Sequence, residues 1–215
     1  MNIEEYKEIV KKSESHGDPY YVVYDEFLPA HEFGFLKSYL IESAEPFWTI
    51  SNQINKNDTD NNDFYMATMI HNVENGARQE WTKGIDIQPF VNISSKLHMV
   101  SLLRMKANLY VPNVKGHYIH APHVDYNFGH QGGLFFVTTC DAPTYMFDGT
   151  PIESVENRLL LFNPGTPHSS SAPTNVPFRI TININYLGQG IHGSYLPQLK
   201  NINPALVGGK PPFRI

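Results

Sequence analysis

The cleanest alternation of apolar and polar positions lies in Phe178–Leu187, FRITININYL. There Phe178, Ile180, Ile182, Ile184 and Tyr186 interleave with Arg179, Thr181, Asn183 and Asn185. A period of two is that of a strand with one apolar and one polar face. Leu102–Tyr110, LLRMKANLY, repeats it: Lys106, Asn108 and Tyr110 fall opposite Met105, Ala107 and Leu109. Strand-like runs recur at 100–111, 117–125, 133–139, 144–148, 158–162 and 178–187, parted by Gly, Pro and Asn turns. Many short strands with no helical pattern between them predict an antiparallel sandwich or barrel.

Upstream the pattern is mixed. Residues 3–12 (IEEYKEIVKK) predict a short amphipathic helix with acids early and lysines late, matching the helix dipole. Tyr20–Tyr24 (YYVVY) and residues 64–70 predict strands. Pro29 opens a helix to about Ala44 with Phe33, Leu36, Leu40 and Ile41 on one face, and 86–98 predicts another. Asn52–Asp63, rich in Asn and Asp, predicts a surface loop. No repeat or linker interrupts the chain. The expectation is an α+β single domain over 1–215: an N-terminal helix and strand support (1–98), a jelly-roll core (99–187) and an extended tail (188–215).

Composition narrows the class. Of 215 residues 41% are hydrophobic and 17% charged, against roughly 25% charged in an average domain. The net charge of −5 disfavours a phosphate-backbone binder, so nucleic acid is the least favoured partner. A single cysteine, Cys140, excludes an internal disulfide and any multi-cysteine metal site, and reads as a small buried hydrophobe. No apolar run reaches membrane-spanning length, and MNIEEYKEIVKK is too charged for a signal peptide. A cytoplasmic protein with no membrane contact is expected.

Histidine changes the picture. Ten are present, and four (His117, His120, His123, His130) fall within fourteen residues. In HAPHVD, on an extended backbone, His123 and Asp125 point the same way and present an imidazole and a carboxylate to one place. A third ligand must come from elsewhere, and His168 in FNPGTPHSS, forty-three residues after Asp125, is the candidate. Two His and one carboxylate on one octahedral face leave three positions open, the arrangement of non-haem Fe(II) oxygenases. An HxD pair alone is common by chance, and its plain alternative is a hydrogen-bonded loop histidine. Arg179 adds weight, eleven residues past His168 on the polar face of its strand. That face is either solvated, as in many antiparallel sheets, or lines a pocket where an arginine forks onto a dicarboxylate.

The set His123, Asp125, His168 and Arg179 in this order, ending in RITININY, resembles the iron(II)- and 2-oxoglutarate-dependent dioxygenases with a double-stranded β-helix. YVVYDEFLPAHEFGFLKSYL is similar to the strand–helix entry of that superfamily. LLRMKANLYVPNVKGHYIHAPHVD and TYMFDGTPIESVENRLLLFNPGTPH resemble its small phage and marine microbial members, related to prolyl 4-hydroxylase catalytic domains. The resemblance spans about residues 20–187. It implies Fe(II) on His123, Asp125 and His168, and 2-oxoglutarate anchored on Arg179. Thr181, Asn108 and Tyr110 are implied as further cosubstrate contacts. O2 is the third reactant, and the product is a hydroxylated C–H with release of succinate and CO2. The substrate, whether a peptidyl side chain, another amino acid, a small metabolite or a nucleobase, is not carried over, nor is the oligomeric state.

Two other classes stay open: a cupin-like metal protein (another dioxygenase or an isomerase) and a jelly-roll binding module without catalysis. Binding of 2-oxoglutarate discriminates both. Elsewhere, His117 and His120 read as supporting, substrate-facing or exposed groups, and His130 as a loop residue. Arg158 reads as a surface charge, Trp48 and Trp81 as core or pocket wall, and GGKPPFRI as an extended or frayed end.

Overall fold

The computed structural model describes residues 1–42, 48–51, 65–73, 80–81, 84–97, 99–113, 116–188 and 202–209. Its helices are α1 (Ile3–Val10), α2 (Ala30–Glu42) and α3 (Gln88–Lys96). Its strands are β1 (Tyr20–Tyr24), β2 (Thr49–Ser51), β3 (Tyr65–Asn72), β4 (Glu80–Trp81), β5 (Met99–Tyr110), β6 (Gln131–Phe136), β7 (Cys140–Tyr145), β8 (Pro151–Ser154), β9 (Arg158–Phe162), β10 (Arg179–Gly188) and β11 (Ile202–Gly209). The expected loop at 52–63 lies outside the described residues. The side chain of Trp81 also lies outside them.

A nine-stranded sheet runs β11-β1-β9-β6-β10-β5-β3-β2, with β4 on β3, through antiparallel pairs. β7 and β8 pair separately. Bridges Ile119↔Ser171, His123↔His168 and Tyr145↔Ser169 extend that pair into a second, ragged layer.

Strand alternation assigns the apolar residues to two cores. Tyr20, Val22, Tyr24, Phe135, Leu159, Leu161, Ile180, Ile182 and Ile184 meet Leu36 and Leu40 of α2 and Phe90 and Ile93 of α3 on one face. Tyr21, Val23, Leu134, Phe136, Leu160 and Phe162 face Met146 and Ile152 of the β7–β8 side on the other. The runs YYVVY and RLLLF are therefore buried on both faces. On the outer flank α1 holds a capping box between Asn2 and Glu5, and its buried Tyr6 donates to the Tyr145 and Met146 carbonyls, each at 3.0 Å.

Several expectations need correction. The run 117–125 forms only isolated bridges, and the strand expected at 144–148 is instead Cys140–Tyr145 followed by a turn. Ile41 is exposed, because it lies about 80° round the helix from Phe33 and reaches the rim while Leu36 and Leu40 are buried. Arg158 is buried, not a surface charge. Its Nε donates to Asp25 at 2.6 Å, and Asp25 also accepts from Asn203 of β11 at 3.1 Å. The expected tail contains β11, which pairs with β1. Gly208 lies opposite Tyr21, whose ring occupies the space a Cβ would fill, so glycine is required there. Among the described residues no helix is long and apolar enough to cross a membrane.

Candidate metal centre and its pocket

Both faces of β10 are buried. Arg179 is 0% and Thr181 1% exposed, so the polar face is no solvent face. The β10–β5 register sets Arg179 beside Tyr110, Thr181 beside Asn108, Asn183 beside Lys106 and Asn185 beside Arg104. Two polar half-faces thus merge into one wall. A pocket on this wall is closed by Leu134, Thr144, His123, Asp125, His168 and Ser170.

His123 and His168 are paired across an antiparallel bridge, each N–H donating to the other's carbonyl at 3.0 and 3.1 Å. Residues so paired present side chains to the same side, and their rings stand 4.6 Å apart. The Asp125 N–H donates to the Pro164 carbonyl at 2.9 Å, tying HVD to the turn that carries His168. Gly132 lets that turn pass, since a Cβ there would strike the Pro164 ring. The result brings one ligand atom each from His123, Asp125 and His168 within 4.8 Å of one another.

The surroundings prepare these atoms. Nδ1 of His168 lies 3.0 Å from the Thr166 carbonyl; donation there leaves Nε2 with its lone pair toward the cluster. Nδ1 of His123 is buried without a hydrogen-bond partner. Burial, and beside it the His168 ring, lowers His123 to about 3, so it stays neutral, as a ligand must. Burial pushes Asp125 up, but Arg104 and then the two imidazoles hold it below the usual carboxylate range. Arg104 donates to its Oδ1 at 3.0 Å and Asn183 to its Oδ2 at 3.2 Å. Asn185 in turn donates to Asn183 at 2.7 Å, and Asn185 Oδ1 faces His130 Nε2 at 3.0 Å. His130 sits in a loop as expected, yet is buried and anchors this chain.

Arg179 is the largest fully buried side chain. Its Nε donates to Ser154 Oγ and its Nη2 to Thr144 Oγ1, both at 2.8 Å, and the guanidinium lies over the rings of Tyr110 and Phe136. Every one of these partners is neutral, and among the described residues no carboxylate pairs with it. A buried cation without an anion is costly. An anionic ligand in the pocket removes that cost. Buried Asn108 Oδ1, also facing the pocket, has no hydrogen-bond partner.

His120 stays outside the trio, buried with its ring stacked on Tyr110 at 5.7 Å and its Nδ1 2.8 Å from Ser170 Oγ. His117 is exposed, 3.5 Å from Asp141. Burial, with the Arg179 cation next in weight, lowers His120 from 6.5 to about 3. An unfolded chain takes up this proton near pH 6.5, so stability is complete above that value and falls as pH drops below it. Phenylalanine keeps a ring against Tyr110. His120→Phe is expected to lose about 1 kcal/mol less stability than the wild type between pH 7 and 5.5 in urea titrations. Equal losses in the two proteins would contradict a neutral buried His120.

The sequence reading missed Arg104, Thr144, Ser154, Ser170 and the anchoring role of His130. Arg104 was signalled, since it shares the parity of Lys106, Asn108 and Tyr110. Thr144 and Ser154 come from a hairpin whose second strand the pattern did not mark.

Among solved structures, the chain superposes on a prolyl-4-hydroxylase of Pseudomonas putida with TM-score 0.51 at 14% identity, covering 86% of this chain and 99% of that one. An oxidoreductase of the 2OG-Fe(II) oxygenase family from Burkholderia pseudomallei gives 0.55 at 8%, covering 86% and 91%. A prolyl hydroxylase of Trichoplax adhaerens, solved with a hypoxia inducible factor oxygen degradation domain peptide fragment, gives 0.53 at 14%, covering 87% and 92%. At such identities the likeness is one of fold: a mostly antiparallel sheet with few helices, as in the 2-oxoglutarate oxygenases. By sequence, no family model and no curated protein matches the chain.

Proposed function

We propose that this chain is an iron(II)- and 2-oxoglutarate-dependent oxygenase that hydroxylates an unactivated C–H bond, its two layers forming a double-stranded β-helix. The observation that carries this reading is Arg179: a fully buried cation with only neutral partners, opening into the pocket of a His–Asp–His trio. A metal protein of another jelly-roll class has no use for that cation.

His123, Asp125 and His168 would hold the iron. Arg179 would grip the far carboxylate of 2-oxoglutarate, with Thr181 on the same face and neighbouring Asn108 and Tyr110 adding contacts. Iron with 2-oxoglutarate, when bound, supplies the oxidising power that hydroxylates the substrate as succinate and CO2 are released. The chain does the rest. The Thr166 carbonyl fixes the His168 tautomer, and Arg104 and Asn183 orient the Asp125 carboxylate.

Purified protein supplied with Fe(II), 2-oxoglutarate and O2 is expected to release succinate slowly even without substrate. Calorimetry should show 2-oxoglutarate binding to metal-loaded protein. Absence of that binding would overturn the reading.

A further inference from the structure

Three cationic side chains line the pocket, Arg104, Lys106 and Arg179, against one carboxylate, Asp125. Arg104 is paired with Asp125, and Arg179 stands where a cosubstrate carboxylate fits. Lys106 remains. Its Nζ donates to the Tyr65 hydroxyl at 3.2 Å and lies 5.3 Å from the centre of that ring, both neutral partners. Among the described residues no carboxylate forms an ion pair with it. A divalent ion on the trio and a dianionic cosubstrate cancel each other. The loaded pocket therefore keeps the excess of two cations its own side chains carry.

Position separates Lys106 from the cosubstrate anchor. In the β5–β10 register it lies beside Asn183, the residue that holds Asp125, whereas Arg179 is four residues along β10, about 13 Å at strand spacing. Lys106 thus stands level with the Asp125 end of the trio, two register pairs along the wall from Arg179. Burial lowers its pKa from the usual lysine value, and an anion alongside would raise it again.

We infer that Lys106 anchors an anionic group, a carboxylate or phosphate, on the substrate to be hydroxylated. The substrate is thereby an acidic one, steered to the pocket by its charge. This rests on the metal and 2-oxoglutarate reading of the same pocket.

The test uses full-length protein loaded with Zn(II) and saturated with N-oxalylglycine, an unreactive isostere of 2-oxoglutarate. The ε-methylene signal of Lys106 is followed by NMR in lysine-labelled protein. The probes are N-acetylglycine, inorganic phosphate and the neutral N-acetylglycinamide. At least one anion is expected to shift the signal and bind ten-fold or more tightly than the amide, the tighter of the two naming the group. Lys106→Gln should erase the preference and Lys106→Arg retain most of it. Equal binding of anions and amide, or an anion preference that survives in Lys106→Gln, overturns the anchor. A loss of N-oxalylglycine affinity of ten-fold or more in Lys106→Gln, without any probe, also overturns it by making Lys106 a cosubstrate residue. Wild-type protein that takes up neither Zn(II) nor N-oxalylglycine defeats the underlying reading and the anchor with it. Normal uptake of both with no anion preference defeats the anchor alone.

Discussion

Alanine at His123, Asp125 or His168 is expected to abolish both stoichiometric metal uptake and succinate formation while the far-ultraviolet spectrum stays that of the wild type. Each substitution would remove one of the three proposed side-chain ligands. Two ligands cannot hold a divalent ion in a fixed facial geometry. The three variants should differ in stability. His123→Ala removes a half-buried imidazole whose Nδ1 has no partner, whereas Asp125→Ala strips Arg104 of its carboxylate and leaves Asn183 without its acceptor. Asp125→Ala should therefore be the least stable of the metal-free variants. His120→Ala is the control: metal content should stay near stoichiometric, because its imidazole is turned to Ser170 and Tyr110. Metal retained in all three ligand variants, or lost in His120→Ala while kept in His123→Ala, would dismantle the assignment.

Arg179→Ala is expected to raise the 2-oxoglutarate requirement by tens-fold or more with metal still bound. Leaving a desolvated carboxylate without its cation costs on the order of 2–5 kcal/mol. Arg179→Lys should recover only part, since it keeps the charge but loses the planar fork that also reaches Ser154 and Thr144. Arg179→Met carries the sharper forecast. Because the guanidinium is buried against neutral partners, an apolar replacement of similar length should leave the ligand-free protein at least as heat-stable as the wild type. The same variant should lose the rise in melting temperature that 2-oxoglutarate gives the metal-loaded parent. A variant that melts lower without ligand yet keeps that rise would make Arg179 a purely structural residue.

How much of this was legible depends on the range of the signal. The β10 alternation put Arg179, Thr181, Asn183 and Asn185 on one face, and a period of two is local enough to read directly. The His123–Asp125 spacing was legible for the same reason. Its convergence does not come from the regular strand expected at 117–125, however. It comes from one backbone bridge to His168 and one bond to Pro164. Whether a polar face meets water or a pocket depends on what covers it, and here the cover is the β7–β8 side with its Thr144 and Ser154. Arg158 failed for a like reason: its charge is buried because Asp25, 133 residues away, meets it. β11 was hidden because INPALVGG has little strand character of its own. It is held by β1, by Asn203 on Asp25, and by the fit of Gly208 to Tyr21.

The place of β1 in the sheet governs the order in which the molecule can assemble. Among the described residues its strand partners are β9 and β11, and Tyr24, the residue nearest in sequence to any partner, waits for Leu159. Until that residue has been synthesised, YYVVY lacks its β9 partner and its strand edges are open to other pairings. The β5–β10 pair that builds the pocket wall joins residues closer in sequence, and so does the His123–His168 bridge. Loop-closure entropy therefore favours a folding order in which the pocket wall forms first and β1 slots between β9 and β11 late.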